Sequence, residues 1–281
     1  MLIPILFALL IIIIGIAAYF YVQNHGFWSM IWKEVEQLTE GSAVEPDPVR
    51  GMSELPVAMQ RYLRFAIPDE RPAAGLLRLQ HGGTLTLKPG MDPLPIEGEE
   101  YFHCSDPAFI WTGRARMKPL VWVRARDKYL HGRGNMLVKL RAAVTLADSR
   151  GPEMDSSSLL RYLAEMPWLP SSFLAVPGLV FTQVDDRTVE VHLTHRSITV
   201  SGRFTIDDDG AMTNFHSEDR YREDNGTMVR CPWKGEYRDY REVDGFRIPH
   251  EATVAWELPE GDFPYAHFQL TCAEYDIPAA F

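Results

Sequence analysis

The first apolar run of the chain is also its longest. Leu2–Val22 (LIPILFALLIIIIGIAAYFYV) holds twenty-one residues without a single charge. A helix rises ~1.5 Å per residue, so about 20 apolar residues cross a ~30 Å hydrocarbon core. The pattern predicts one membrane-crossing helix, with residues 1–23 as a single-pass anchor. A cleaved signal peptide would need a basic start, ~7–15 apolar residues and a small-x-small exit. Here no Lys or Arg precedes the run, and it ends on Tyr19, Phe20 and Tyr21, rings that suit a membrane interface. A buried core helix competes less well at this length.

Phe27, Trp28, Ile31, Trp32, Val35 and Leu38 then recur at near-helical spacing up to Gly41, a natural helix end. Trp28 and Trp32 favour a helix at the membrane interface; the competing reading is a continuation of the anchor that packs on the body. Ser42–Gly51, with Pro46 and Pro48, is the best linker in the chain. Residues 24–50 thus form a juxtamembrane helix and linker, and residues 51–281 one soluble domain. A further amphipathic helix starts near Ser53 as N-cap, buries Leu55, Met59, Tyr62, Leu63 and Ala66, and closes at Pro68.

From Gly75 the pattern alternates. LLRLQHGGTLTLK, GEEYFHC, FIWTGRARMK, LVWVRAR and NMLVKLRAAVTLA read as strands, broken by Gly, Pro and Asp clusters. One helix interrupts, capped at Ser156–Ser158, apolar at Leu159, Leu160, Leu163 and Met166, and stopped by Pro167; a short turn follows at Ser171–Ala175. Strands resume from TVEVHLT to YAHFQLTCAEY, with hairpins at Asp207–Gly210 and at VDGF, Val243–Phe246. The expectation is an α+β fold: an N-terminal transmembrane helix, then a large curved antiparallel sheet of ten or eleven strands packed on a few helices.

Charge narrows the partners. The net charge of −10 and pI near 5.4 argue against a nucleic-acid partner, which wants a basic face. Cys104, Cys231 and Cys272 are odd in number and widely spaced, giving neither a metal pattern nor a disulfide framework. Arg114–Arg141 carries nine basic residues against the single acid Asp127, a local +8 that leaves −18 elsewhere. Arg114, Arg116 and Lys118 share one parity, as do Arg124, Arg126 and Lys128, while Trp111, Gly113, Ala115, Met117, Val121, Val123 and Ala125 take the other. With a turn near Pro119, two adjacent strands present one cationic and one apolar face. The cationic face is a candidate for anionic lipid headgroups, ~1 kcal/mol per basic residue near the surface, or a solvated face balanced by acids on neighbouring strands.

No spacing here demands catalysis. His192 and His195, at i and i+3 on a strand, point to opposite faces. His216 and Glu218 share a face and suit acid–base work or ion ligation, though a solvated strand face has the same pattern. Asp207–Asp209 lacks the length of a calcium loop, HGRG (131–134) lacks phosphate-loop spacing, and Cys231 reads as a buried inert thiol. No metal or cofactor is implied. Arg161 and Glu165, at i and i+4, read first as an exposed ion pair worth a few tenths of a kcal/mol; the other arrangement points them into a cavity with Trp168.

Six stretches, LPVAMQRYLRFAIP, FIWTGRARM, DKYLHGRGNM, LLRYLAEMPWLPSSFL, CPWKGEYRDY and GFRIPHEATVAWEL, span Leu55 to Leu258. Together they resemble a bacterial membrane-anchored family known only as a domain of unknown function. Its most specific block is R-Y-L-A-E-x-x-W, here Arg161–Glu165 with Trp168. The resemblance brings no activity; it implies a shape similar to the half-barrels of periplasmic lipoprotein carriers, and with it an extracytoplasmic body. Lys33 is the only basic residue near the anchor, so charge asymmetry says little about orientation. The expected function is a membrane-tethered, non-enzymatic binder of a lipid or other apolar ligand. Arg161, Glu165, Trp168, Trp111 and Trp233 are the candidate ligand contacts, and the six basic strand residues the candidate headgroup face. Two alternatives remain: an envelope hydrolase using Glu165, Arg161, His216 and Glu218, and a scaffold that docks another membrane protein.

Overall fold

The computed structural model describes residues 2–40, 42, 46–68, 72–119, 121–224 and 226–281. Gly41, the expected helix end, and residues 43–45 of the expected linker lie outside them. The anchor and the juxtamembrane pattern are one continuous helix, α1 (Leu2–Thr39). Nothing between them is a proline, and the lone Gly26 costs a helix only about 1 kcal/mol. Its halves differ in what covers them. Residues 3–19 are exposed throughout, and among the described residues this is the one helix long and apolar enough to cross a membrane. Phe27, Ile31, Val35 and Leu38 are buried against Leu76, Tyr101, Ala108, Ile110 and Leu130 of the body.

A 3-10 turn (Met52–Glu54) precedes α2 (Val57–Ala66). Ser53 is therefore not the cap: Pro56 holds that position, where its missing N–H leaves nothing unpaired. Six strands follow: β1 (Leu76–Leu85), β2 (Leu94–His103), β3 (Ala108–Lys118), β4 (Val121–Leu130), β5 (Arg133–Leu140) and β6 (Val144–Ser149). Then come α3 (Pro152–Glu165), a 3-10 turn (Met166–Trp168) and α4 (Ser172–Ala175). The second half comprises β7 (Leu179–Gln183), β8 (Thr188–His195), β9 (Ile198–Ile206), β10 (Met212–Ser217), a small hairpin of β11 (Tyr221–Asp224) and β12 (Thr227–Arg230), and the long β13 (Trp233–Val243), β14 (Phe246–Leu258) and β15 (Gly261–Tyr275).

Thirteen strands form one open, curved antiparallel sheet in the order β6-β5-β4-β3-β2-β1-β15-β14-β13-β10-β9-β8-β7. Tight turns set much of the register. His131 and Gly132 have φ of 53° and 79° between the paired Leu130 and Arg133, and Asp244 and Gly245 do the same between Val243 and Phe246, the backbone of type I′ hairpins. Topology dictates where the helices lie. β6 and β7 are the two outer edges, so the chain between them must cross the sheet from edge to edge, and α3 and α4 lie on that crossing. At β5 the approach is tight: a Cβ on Gly134 would sit 2.4 Å from the Met154 carbonyl oxygen. The Gly134 N–H donates to Asp155 Oδ1 at 2.7 Å, and Arg133 Nη1 to its other oxygen at 2.9 Å. The first turn of α3 thus starts at Pro152 behind Gly151, ahead of the serines expected to cap it.

Two cores result, one on each face. Tyr62, Phe102, Phe109, Tyr162, Phe173, Phe204 and Phe215 fill the concave side with α2, α3 and α4; the second half of α1 covers the convex side over β2–β5. The strand parity of β3 and β4 is as expected, but the cationic face is not free. Arg126 lies 3.2 Å and Lys128 2.7 Å from the buried Glu34 of α1, Arg124 stacks 5.0 Å over Trp28, and Arg114 pairs with Glu97. Of the six, Arg116 and Lys118 are exposed.

Glu34 therefore neutralises Arg126, which is only 3% exposed. Breaking one side of a buried pair costs about 3 kcal/mol, whereas exposed sites stay within about 0.5. In a chain lacking residues 1–22, Glu34→Ala is expected to lower urea-unfolding stability by about that larger amount and Lys33→Ala to leave it unchanged. Removing residues 1–45 strips the convex core and is expected to destabilise the body far more than removing 1–22.

Candidate functional site

Between α3 and the concave face lies a cavity of about 420 Å³, within the ~300–1,000 Å³ range of small-molecule sites. Its walls are the inward parity of both sheet halves: Leu85, Ile96, Ala115, Val123, Ala125 and Val138 from β1–β5, and Tyr237, Val254, Ala266 and Phe268 from β13–β15. Three tryptophans line it, and each has its N–H satisfied by protein. Trp168 donates to the Pro249 carbonyl at 2.9 Å, Trp233 to the Tyr265 hydroxyl at 3.1 Å and Trp111 to His81 Nε2 at 2.8 Å. Their rings are thus left as apolar surface. A Cβ at Gly113 would meet the Trp111 ring at 2.4 Å, so glycine there is what lets the indole lie along β3.

Charge is confined to the floor. Arg161, one α-helical turn before Glu165, donates from Nε to Glu165 at 2.8 Å, from Nη1 to Asp127 at 2.8 Å and from Nη2 to Glu100 at 2.7 Å. Its guanidinium also stands 4.8 Å and 5.4 Å from the Phe109 and Trp111 rings. Burial opposes the Arg161 charge, but three carboxyls outweigh it and hold its pKa above the ordinary value. Burial pushes Glu100 well above the usual carboxylate range; Arg161 pulls it down, while Glu165 and Asp127 push it further up. Glu165 is raised too, by burial against the pull of Arg161 and Arg220. Burial lowers His81 to about 4, with Arg161 adding to that direction, so the ring that accepts the Trp111 N–H is neutral.

Three buried polar atoms on lining residues lack a protein hydrogen-bond partner: two acceptors, Asp127 Oδ1 and Glu165 Oε2, and one donor, Arg220 Nη1. Arg220 stacks over Trp233 at 4.2 Å and reaches the Trp256 ring at 5.6 Å. An unpaired buried polar group costs ~1–3 kcal/mol. The floor is thus prepared for a polar group that donates at one side and accepts at the other, beneath walls that want only apolar contact.

The structure brings Arg161, Glu165, Trp168, Trp111 and Trp233 to this one cavity. The Arg161–Glu165 pair is buried, not exposed as its helical spacing first suggests, because Asp127 and Glu100 reach it from β4 and β2. Neither acid stands out as a site residue in the sequence, but Asp127 carries a signal: it is the lone acid of the basic segment and sits on the apolar parity. The six basic strand residues lie elsewhere, on or beside the convex face; Arg114 and Arg124 border a separate groove with Trp28, Glu97 and Glu99. The hydrolase candidates do not converge. His216 stands 3.7 Å from Glu218 and 3.3 Å from Glu257, on the opposite face of β10 from the buried Phe215. His195 meets Tyr129 and Asp106 on the inner side while His192 pairs with Glu190, the opposite faces expected of i and i+3. Among the described residues no three His, Cys, Asp or Glu side chains are grouped to hold a metal.

A profile described as a family of unknown function, DUF6544, matches residues 47–268. No curated protein matches the chain. Among solved structures the chain is similar to an outer membrane lipoprotein-sorting protein domain from Vibrio parahaemolyticus, with a TM-score of 0.46 and 10% identity over 80% of this chain and 94% of that one. It is similar to a LolA superfamily protein from Nitrosomonas europaea at a TM-score of 0.40 and 8% identity, over 77% and 91%. A β-barrel-like protein of the domain of unknown function DUF1849 from Brucella abortus gives a TM-score of 0.26 at 9% identity, over 73% and 99%.

The floor carries a pH signature. Glu100 holds its proton to higher pH in the folded chain than in the unfolded chain, where it is released near pH 4.5. The unfolded state then binds fewer protons, so this group's contribution to stability is lost as pH rises. Glu100→Gln keeps the acceptor for Arg161 and removes the titration. Its stability relative to wild type is expected to rise as pH climbs above about 4.5 in urea unfolding. Arg161→Met, which leaves three carboxyls facing one another, is expected to cost about 3–5 kcal/mol.

Proposed function

The chain belongs to the DUF6544 family of unknown function, and we propose that it is a membrane-tethered protein that binds a lipid or similarly slender apolar ligand without transforming it. The observation that carries this reading is the cavity itself: apolar walls from both halves of one sheet, closed by a charged floor with two unpaired acceptors and an unpaired donor. A wholly apolar ligand satisfies the walls and leaves the floor unpaired. A wholly polar one forfeits the walls, where apolar burial is worth ~25 cal/mol per Å². An amphiphile with a short polar end that both donates and accepts, seated against Asp127 and Arg220, answers both.

Tethering is supported by α1, whose residues 3–19 are exposed throughout and have the length and composition of a single crossing. The hydrolase reading is weakened by its own residue set, since Arg161 and Glu165 face the cavity while His216 lies on the other side of the sheet.

Native mass spectrometry of the full-length chain, extracted in mild detergent from the membranes that produced it, tests the reading. Wild type is expected to retain one adduct of lipid mass. Ala125→Trp and Val254→Trp, which fill the cavity from its two walls, are expected to lose it with circular dichroism unchanged. Lipid held on α1 would persist in both variants. No adduct on wild type, or equal retention in the filled variants, would overturn the binder reading.

A further inference from the structure

We propose that three turns beside the cavity mouth form a surface that docks on an anionic lipid bilayer, so that the cavity opens onto the membrane in which α1 is anchored. The proposal rests on the reading of α1 as a membrane-crossing helix and concerns surfaces that reading does not use.

The position of the bilayer follows from one contact. Phe20 stands two residues before the end of the uncharged run, about 27 Å along the helix from Leu2 at ~1.5 Å per residue, which is close to a ~30 Å hydrocarbon core. Phe20 therefore marks the interface. The guanidinium of Arg141 lies 4.2 Å over its ring, and Arg141 belongs to the turn between β5 and β6. Its backbone N–H donates to the Trp122 carbonyl at 3.0 Å, which ties that turn to the neighbouring β3–β4 turn. The β5–β6 turn is therefore held at interface height by the anchor itself.

Strand direction puts two further turns at the same end. β1 ends where β2 begins (Leu85 beside Leu94), and β3 ends where β4 begins (Lys118 beside Val121). Along this rim the large apolar side chains point into solvent: Leu87, Met91, Met117, Val121, Val144 and Leu146 are each 36–56% exposed. Leu87, Met117 and Leu146 also line the cavity, so the rim and the mouth are one surface. The same three turns, with the last residues of β3, carry Lys88, Arg116, Lys118 and Arg141 against the single acid Asp92, on a chain of net −10. Apolar tips interleaved with basic side chains match the border between acyl chains and anionic headgroups. The surface has an edge: the neighbouring β14–β15 turn carries Glu260 and Asp262, which confines contact to the β1–β6 side.

The test places a fluorophore at Met91→Cys, Met117→Cys or Leu146→Cys in a full-length Cys272→Ala chain. The protein is reconstituted in vesicles of phosphatidylcholine and phosphatidylglycerol with brominated acyl chains. His131→Cys, in the turn at the other end of β4, is the control, and Ile12→Cys reports the anchor. Rim labels are expected to be quenched several-fold more than the His131 label, and less so when phosphatidylglycerol is omitted or when Arg116→Glu and Lys118→Glu are combined. In the Ala125→Trp background the rim quenching is expected to persist, so failure of ligand binding and failure of docking are separable. Quenching at Ile12 with rim labels no better quenched than His131 would overturn the docking surface, as would rim labels shielded from water but untouched by bromine, the mark of a protein partner. An unquenched Ile12 label would overturn both the tether and the proposal built on it.

Discussion

Everything on the concave side turns on one guanidinium. Because β6 and β7 are opposite edges of the sheet, the chain has to cross its face, and the crossing delivers Arg161 over the middle of β2–β4. There it meets Glu100 and Asp127 from two strands and Glu165 from its own helix. The arrangement fixes the rotation of α3, and with it which helical residues face the cavity. Tyrosines hold the same segment from outside the cluster: Tyr162 donates to the His103 carbonyl and Tyr275 to that of Trp168. Stability alone does not call for such a cluster, since well-packed apolar side chains of similar volume hold a core at least as well as buried ions. What it adds is a polar end to an otherwise apolar chamber.

The same two strands serve two masters. On β3 and β4 odd-numbered side chains from Trp111 to Asp127 line the chamber, while the even-numbered Arg124, Arg126 and Lys128 meet α1, so a single pleat separates the apolar interior from the ion pairs of Glu34. Register matters more here than anywhere else in the sheet, because a one-residue slip would exchange the two faces. Asp127 shows how narrow the division is. Its backbone neighbours Arg126 and Lys128 reach out to α1, while its own carboxylate turns inward to Arg161.

Much of this was legible in the chain. The alternation of β3 and β4, the hairpin at VDGF, and the amphipathic faces of α2 and α3 follow from local rules of period and turn chemistry. What local rules missed is long-range. Arg161 and Glu165 satisfy the criterion for a surface pair perfectly well, and only acids 61 and 34 residues away in sequence reveal that the pair is buried. The cationic face had the same blind spot: its parity was correct, but its cover comes from Glu34 and Trp28, more than eighty residues earlier in the chain. The start of α3 was misplaced for a different reason. Three consecutive serines look like a cap, yet Gly134 admits the helix closely enough for Asp155 to bind the strand, and that contact draws the helix start back to Pro152.

The continuity of α1 has a consequence for traffic. A binding body joined to its anchor by a flexible segment sweeps a wide volume and carries cargo some distance from the bilayer. Here the apolar first part of α1 runs without a break into the convex core, so α1 in a bilayer would leave the body no slack. On the proposed reading, such a molecule would act as a fixed station, exchanging ligand only with the leaflet beneath it or with whatever comes to it.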